Sequence, residues 1–400
     1  MNVEGIMRTI LTKLGLGLCT TACWWASALA VTGLPEDIPE ELLEDARSSY
    51  IFVFQEKVKP GEIRRLAWQL TLEVDGQLRN IFTRAIRGFS ANVPADAAAR
   101  IGANSRIAYY EPNSIVWATG RRDWDAAAGK GPGRDDSDDD DDDNDGSSTQ
   151  TTPWGIQRVG GPTDGTGLEA WILDTGIDLD HPDLNVGFGA NFVTSGGGDT
   201  PEDLHGHGTH VAGTIAAIDN TIDVVGVAAN AKVHPVRVLS KSGFGMTDWI
   251  VAGIDYVAGL ALPGDCANMS LGGLGHQQSI HDAVVGAAGL GIRFAVAAGN
   301  DSADAEDYEP AHIDAANVYT ISAIDDRDVF ASFSNYGDPV DYAAPGVDVV
   351  STRLGGGVWS MSGTSMATPH ACGLLLFGLP RIDGYAIGDP DGDPDPIAHF

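Results

Sequence analysis

The sequence predicts an α/β protein, a parallel sheet flanked by helices on both faces and preceded by a small α+β domain of ferredoxin-like type. Three observations carry this expectation. From Pro153 onward, short apolar strands without strict alternation take turns with helical stretches, as strands buried on both faces do. Between Tyr50 and Trp117, strands and helices alternate within a single short stretch, which suits a separate small α+β unit. Finally, 43% hydrophobic residues supply a sizeable core and 51 Gly with 20 Pro supply many turns, a composition that excludes collagen-like, coiled-coil and wholly disordered chains.

Taken in order, the chain opens on a leader pattern. Arg8 and Lys13 form a basic start, Leu14 to Trp25 an apolar stretch, and Ala28-Leu29-Ala30 a small-residue cleavage site. We expect residues 1–30 to be a signal peptide and the protein to be exported, with periplasmic transit on the way. The apolar stretch is short for a bilayer span, and no later segment is long enough. A lipoprotein anchor at Cys19 is the weaker reading, since Leu18 stands where that processing wants a small residue. Loss of the leader leaves Cys266 and Cys372. Two cysteines make no disulfide framework, so two buried thiols are expected, with one bridge as the alternative.

Val31 to Arg47 is acidic and reads as loosely ordered. Tyr50 to Phe54 reads as a strand, Pro60 to Val74 as a helix, Ile81 to Phe89 as a strand and Ser90 to Ile101 as a short helix. Ile107 to Tyr110 and Ser114 to Trp117 read as two further strands. Residues 119–148 hold nine Asp between Asp135 and Asp145; the run repels itself and buries nothing, so an acidic disordered linker is expected. Asp141, Asp143 and Asp145 mimic the start of an EF-hand loop, but Thr152 stands at its closing position, which argues against one. Leu168–Leu173, Lys232–Val238, Ala267–Leu271, Arg293–Ala297 and Val318–Ala323 read as the buried strands of residues 149–388. Asp389 to Pro396 opens an acidic C-terminal strap, 389–400.

The net charge of −32 argues against nucleic acid and anionic membrane surfaces as partners. It fits a soluble protein in high salt or one with cationic substrates.

Three segments carry chemistry. Trp171-Ile172-Leu173-Asp174-Thr175-Gly176 ends a buried strand in an acid. His207-Gly208-Thr209-His210 opens a helix with a histidine. Gly363-Thr364-Ser365-Met366-Ala367 starts another helix with a serine. Strand ends and helix starts face the ligand crevice of an open α/β sheet. Singly, each residue reads as a cap or a turn; together, Asp, His and Ser in this order are a known arrangement of the Ser-His-Asp triad.

In these motifs, from Gln150 to about Leu379, the sequence resembles the subtilisin-like serine peptidases, or subtilases. GHGTHVAGT and ASFSNYG are most similar to the proteinase K branch. Residues 31–118, with a core of 50–117, look like the family's inhibitory propeptide. The resemblance implies a secreted serine endopeptidase, made as a self-inhibited zymogen and stabilised by Ca2+. It implies Asp174, His207 and Ser365 as triad and Asn300, at the end of the Phe294–Gly299 segment, as oxyanion donor beside the Ser365 N–H. Ser270, Leu271 and Gly272 with Ala297, Ala298 and Gly299 would flank the S1 pocket. Gly243 to Gly245 would form the opposite edge, so that a peptide adds a strand between them. The acids Asp301, Asp304, Glu306 and Asp307 read as a solvated loop before a basic P1 preference.

Two calcium sites are implied by the same matching. One takes the side chains of Gln150, Asp183 and Asn220 and the carbonyls of Ile218, Ile222 and Val224; the other takes the carbonyls of Ala316 and Val318 with Asp341. All are oxygen donors. Polypeptide substrates and the chain's own propeptide are the expected partners of a monomer. First cleavage is expected near Thr119, with later trimming near Thr149. A catalytically inactive binding protein on the same fold, and a secreted cation-binding protein built on the Asp runs, are the rival readings; the intact triad and Asn300 argue against the first.

Overall fold

The computed structural model describes residues 35, 38–119, 149–195 and 198–400. Residues 1–30, expected to be a signal peptide, and residues 120–148 of the expected acidic linker lie outside the described residues. Pro39–Phe400 forms one compact unit.

The N-terminal part is built as strand, helix, two strands, helix, strand. Its four-stranded antiparallel sheet runs in the order 77–82, 88–92, 49–54, 107–112, and helices Pro60–Leu72 and Ala95–Gly102 follow its first and third strands. This is the ferredoxin-like order. Pro60 opens its helix at a position where the missing N–H costs nothing. Phe52, Phe89, Ile63, Leu66 and Ile101 fill the core between sheet and helices. Phe52 stacks on Phe89 at 4.9 Å between ring centroids.

Three expectations here need correction. Glu40–Ser48 is a helix, not loose chain, because Leu42 and Ala46 lie on one face and are buried. The single strand expected over Ile81–Phe89 is a hairpin whose turn is Thr83–Arg87; apolar Ile86 in the turn hid the break. The helix expected from Ser90 begins only at Ala95, because Ser90–Asn92 completes the hairpin and Pro94 precedes the first turn.

The larger part is a nine-stranded sheet in the order 381–385, 396–399, 340–345, 318–324, 293–297, 266–269, 169–174, 232–237, 190–191. Its pairs are parallel throughout, except that 381–385 runs against 396–399. Helices His207–Ala216 and Thr364–Leu375 cover one face; Thr247–Leu260 and Gln278–Ala288 cover the other. The strap is therefore corrected in part: Pro396–His399 joins the sheet beside 340–345 through Ala343 and Ile397, with Ile397 and Ala398 fully buried.

The cysteines are also corrected. Cys266, on its strand, and Cys372, on the Ser365 helix, are bridged, with their Cα atoms 5.8 Å apart, inside the range a disulfide spans. Among the described residues, no helix is long and apolar enough to cross a membrane.

Candidate active site

Strand 169–174 is buried along its length and ends in Asp174. His207 is the first residue of its helix, and that helix packs hard against the strand end. A Cβ on Gly208 would run into the Gly176 carbonyl, so only glycine lets the histidine come this close. His207 Nδ1 lies 2.8 and 2.9 Å from the two Asp174 carboxylate oxygens. Burial disfavours the charged ring, but the Asp174 charge and hydrogen bond outweigh it and hold His207 above the ordinary histidine range.

Ser365 stands in the first turn of helix Thr364–Leu375 and is fully buried. Its hydroxyl is 2.7 Å from the Thr119 hydroxyl and donates to the Ser270 carbonyl at 3.2 Å. Nε2 of His207 is buried without a hydrogen-bond partner, and the Thr119 main chain faces it. Asn300 accepts the N–H and hydroxyl of Thr364 on Oδ1, at 2.8 and 3.0 Å. Its Nδ2 is buried and unpaired, a donor left over at the serine's helix N-terminus. Gly299, at φ +111°, makes the turn that delivers it; a Cβ there would meet the Asn335 amide.

The structure places the expected substrate segments on either side of the chain's own residues 115–119. Strand Ile115–Ala118 runs antiparallel to Phe244–Met246 on one side and to Leu271–Gly272 on the other. It is thus a corrected element: it does not join the ferredoxin-like sheet. Gly245 faces Val116 and Gly272 faces Trp117. Ala118 N–H reaches the Gly243 carbonyl at 2.9 Å, and Thr119 N–H the Ser270 carbonyl at 3.3 Å. Ala297 and Ala298 are buried at the end of strand 293–297, and Gly299 N–H binds the Thr364 hydroxyl at 3.2 Å. Asp301, Asp304, Glu306 and Asp307 are exposed, and Asp304 caps the Glu306 N–H at 3.0 Å.

Sequence reasoning missed the acids that fasten this arrangement. Asp203, 1% exposed, takes the N–H groups of His205, Gly206 and Thr209 and the hydroxyls of Thr175 and Thr209. It fixes the start of the His207 helix to the Asp174 strand end. Asp248 takes Arg79, Asn80, Ser90 and Asn113, at 2.8–3.1 Å. Asp255 takes the N–H groups of Thr83, Arg84 and Ala85, at 2.6–3.0 Å. In the reverse direction, Glu111 takes the N–H groups of Gln278 and Ser279 at 3.1 and 3.0 Å, capping that helix. Tyr109 donates to Asp282 at 2.6 Å. An acid near a helix start is a visible signal; which distant backbone it binds is not.

The first set of oxygen donors converges. Gln150 Nε2 contacts the carbonyls of Ile218 and Val224 at 2.6 and 3.0 Å and Asn220 Oδ1 at 3.4 Å. Asn220 donates to Asp183 at 2.6 Å, and Ile222 donates its N–H to Asn220 at 2.7 Å. Asp183 is fully buried. That burial pushes its carboxyl up to about 6, against hydrogen bonds from Asn220 and Val224 and with the Asp223 charge. A buried acid in a nest of carbonyls, with no basic side chain among these contacts, fits a hard cation once the Gln150 amide turns its oxygen inward. In the second set, Asp341 accepts the Thr320 N–H at 2.9 Å, and burial pushes its carboxyl up to about 6.

The family model of the subtilase family matches residues 166–381. An alkaline protease of Alkalihalobacillus alcalophilus is 43% identical over 230 residues, 56% of this chain and 58% of its own length. Subtilisin Savinase of Lederbergia lenta is 43% identical over 56% of this chain and 82% of its own. Alkaline serine exoprotease A of Vibrio alginolyticus is 34% identical over 82% of this chain and 60% of its own. A crystal structure of a cold-adapted subtilisin-like serine proteinase superposes with a TM-score of 0.56 at 36% identity, covering 62% of this chain and 97% of that one. With a matching model over more than half its length and the site elements in that fold, the chain belongs to the subtilase family.

Proposed function

We propose that the protein is a secreted serine endopeptidase, made as a precursor that holds its own N-terminal part in the substrate cleft. The observation that carries this is the position of residues 115–119 between the two edge segments, with Thr119 against both Ser365 and His207. That is where a peptide about to be cut would lie.

In this reading the Ser365 hydroxyl attacks the Thr119 carbonyl and His207 Nε2 takes its proton, then returns it to the leaving amine. Asp174 holds the imidazole in the tautomer that leaves Nε2 free and stabilises the imidazolium. Asn300 Nδ2 and the Ser365 N–H receive the oxyanion; the first is buried and already unpaired. The first cut falls between Thr119 and Gly120, and trimming near Thr149 then frees the end that carries Gln150. Gln150, Asp183, Asn220 and the carbonyls of Ile218, Ile222 and Val224 would hold Ca2+, whose charge would balance the Asp183 carboxylate. Export behind Ala30 accords with the Cys266–Cys372 bridge, which forms and persists in oxidising compartments.

A fluorophosphonate probe tests the activity. It should label Ser365 in the matured protein, while Ser365→Ala should leave the full-length precursor uncut and unlabelled. Normal processing of purified Ser365→Ala, with outside proteases excluded, would sink the self-cleavage reading.

A further inference from the structure

The strand Leu271–Leu274, which borders residues 115–118, continues through Gly275 into His276. On its other side it pairs with Tyr308–Glu309, Gly273 facing Glu309. The turn after Glu309 brings in His312. Ring nitrogens of His276 and His312 and a carboxylate oxygen of Glu309 all lie within 4.8 Å of one another. The two rings meet edge to face at 4.2 Å, and His281 lies along His312 at 5.4 Å.

Glu309 is the unusual member. It is 1% exposed. Its Oε2 takes the Gln277 N–H at 3.1 Å and lies 3.6 Å from His312 Nδ1. Its Oε1 is buried with no partner at all, and a buried acceptor left unsatisfied is costly. His312 Nδ1 also lies 3.1 Å from the Tyr308 carbonyl, the kind of contact that orients metal-bound imidazoles.

We propose that His276, Glu309 and His312 form a binding site for a divalent cation of the zinc class, with three protein ligands and an open fourth position. Two imidazoles and one carboxylate are a donor set for zinc, and a poor one for calcium, which takes six or more oxygens. Tetrahedral coordination brings donors to roughly 3.3 Å from one another. His276 is exposed and its side chain supplies the movement. The bound ion ties the end of one substrate-bordering strand to the segment behind it. The site does not depend on the peptidase reading, since none of its ligands is in the triad.

The full-length Ser365→Ala chain, stripped by chelator and returned to calcium, is titrated with Zn2+ by calorimetry. The expected result is one zinc per chain in the micromolar range or tighter, weakened at least tenfold in His276→Ala. Because His276 is on the surface, that variant keeps its fold, checked by an unchanged melting midpoint in calcium alone. His312→Ala should lose the same site. Absence of zinc binding, or binding unchanged in His276→Ala, overturns the proposal.

Discussion

The hydroxyl of Thr119 lies 2.7 Å from the hydroxyl of Ser365, although the two residues are 246 positions apart. Thr119 is 6% exposed, so what it carries is held away from water beside Ser365. Thr119→Asp would put a carboxylate into this buried place, at a desolvation cost. The precursor should then self-cleave at least tenfold more slowly, with Thr119→Ser close to wild type. Processing is followed on gels over time; equal rates for Thr119→Asp and wild type would remove Thr119 from the cleavage site.

Asn300→Ala takes away the one side-chain donor assigned to the oxyanion. In subtilisin itself, loss of such a donor costs about 10²–10³-fold in kcat, and the same fall is expected here with a much smaller change in KM. Steady-state kinetics on mature enzyme decide it. An equal loss carried in KM would mean that Asn300 only shapes the cleft.

Chelation should lower the melting midpoint of the wild type and leave its initial rate nearly unchanged. An ion bound only by the native state stabilises it by mass action, and the Gln150–Asp183–Asn220 cluster shares no contact with Ser365. Asp183→Asn should melt lower in calcium and no longer respond to chelator. A response of full size in Asp183→Asn would place the ion elsewhere.

Asp395 links stability to pH. It is 5% exposed and accepts the Ser322 hydroxyl. Burial pushes its carboxyl up to about 7, against the Ser322 bond and with the charges of Asp389, Asp391 and Asp393. An unfolded Asp titrates near 3.9. Between about pH 4 and 7 the native state therefore keeps a proton that the unfolded chain has released, so this residue's effect lowers unfolding free energy as pH rises through that window. Asp395→Asn should flatten that fall and raise the melting midpoint at pH 8 relative to wild type, with little difference near pH 4. Parallel curves for the two proteins would contradict the assignment.

The sequence made the core of the site legible because each motif is contiguous: Asp174, His207, Ser365 and Asn300 each sit at a strand end or helix start whose pattern is local. The buried strands from 169 to 324 were legible for the same reason, as apolar runs between turns. The partners of Asp248, Asp255 and Glu111 were not, because Asp248 binds side chains 135 to 169 positions away and the other two bind backbone 167 to 172 positions away. Ile115–Ala118 reads as a strand from its own residues, but the edges it pairs with come from Phe244–Met246 and Leu271–Gly272. Pro396–His399 was masked by the Asp/Pro stretch before it. The Cys266–Cys372 bridge depends on a distance that no spacing encodes.

That bridge has a mechanical consequence. Cys372 lies on the helix that carries Ser365, and Cys266 on a central strand of the sheet. Local opening, the ordinary first step of thermal inactivation, cannot carry the Ser365 helix off the sheet while the bond holds. The exposed 381–385 edge, in contrast, lies outside that tether. Ser365 should then be among the last parts to leave its place when the periphery loosens.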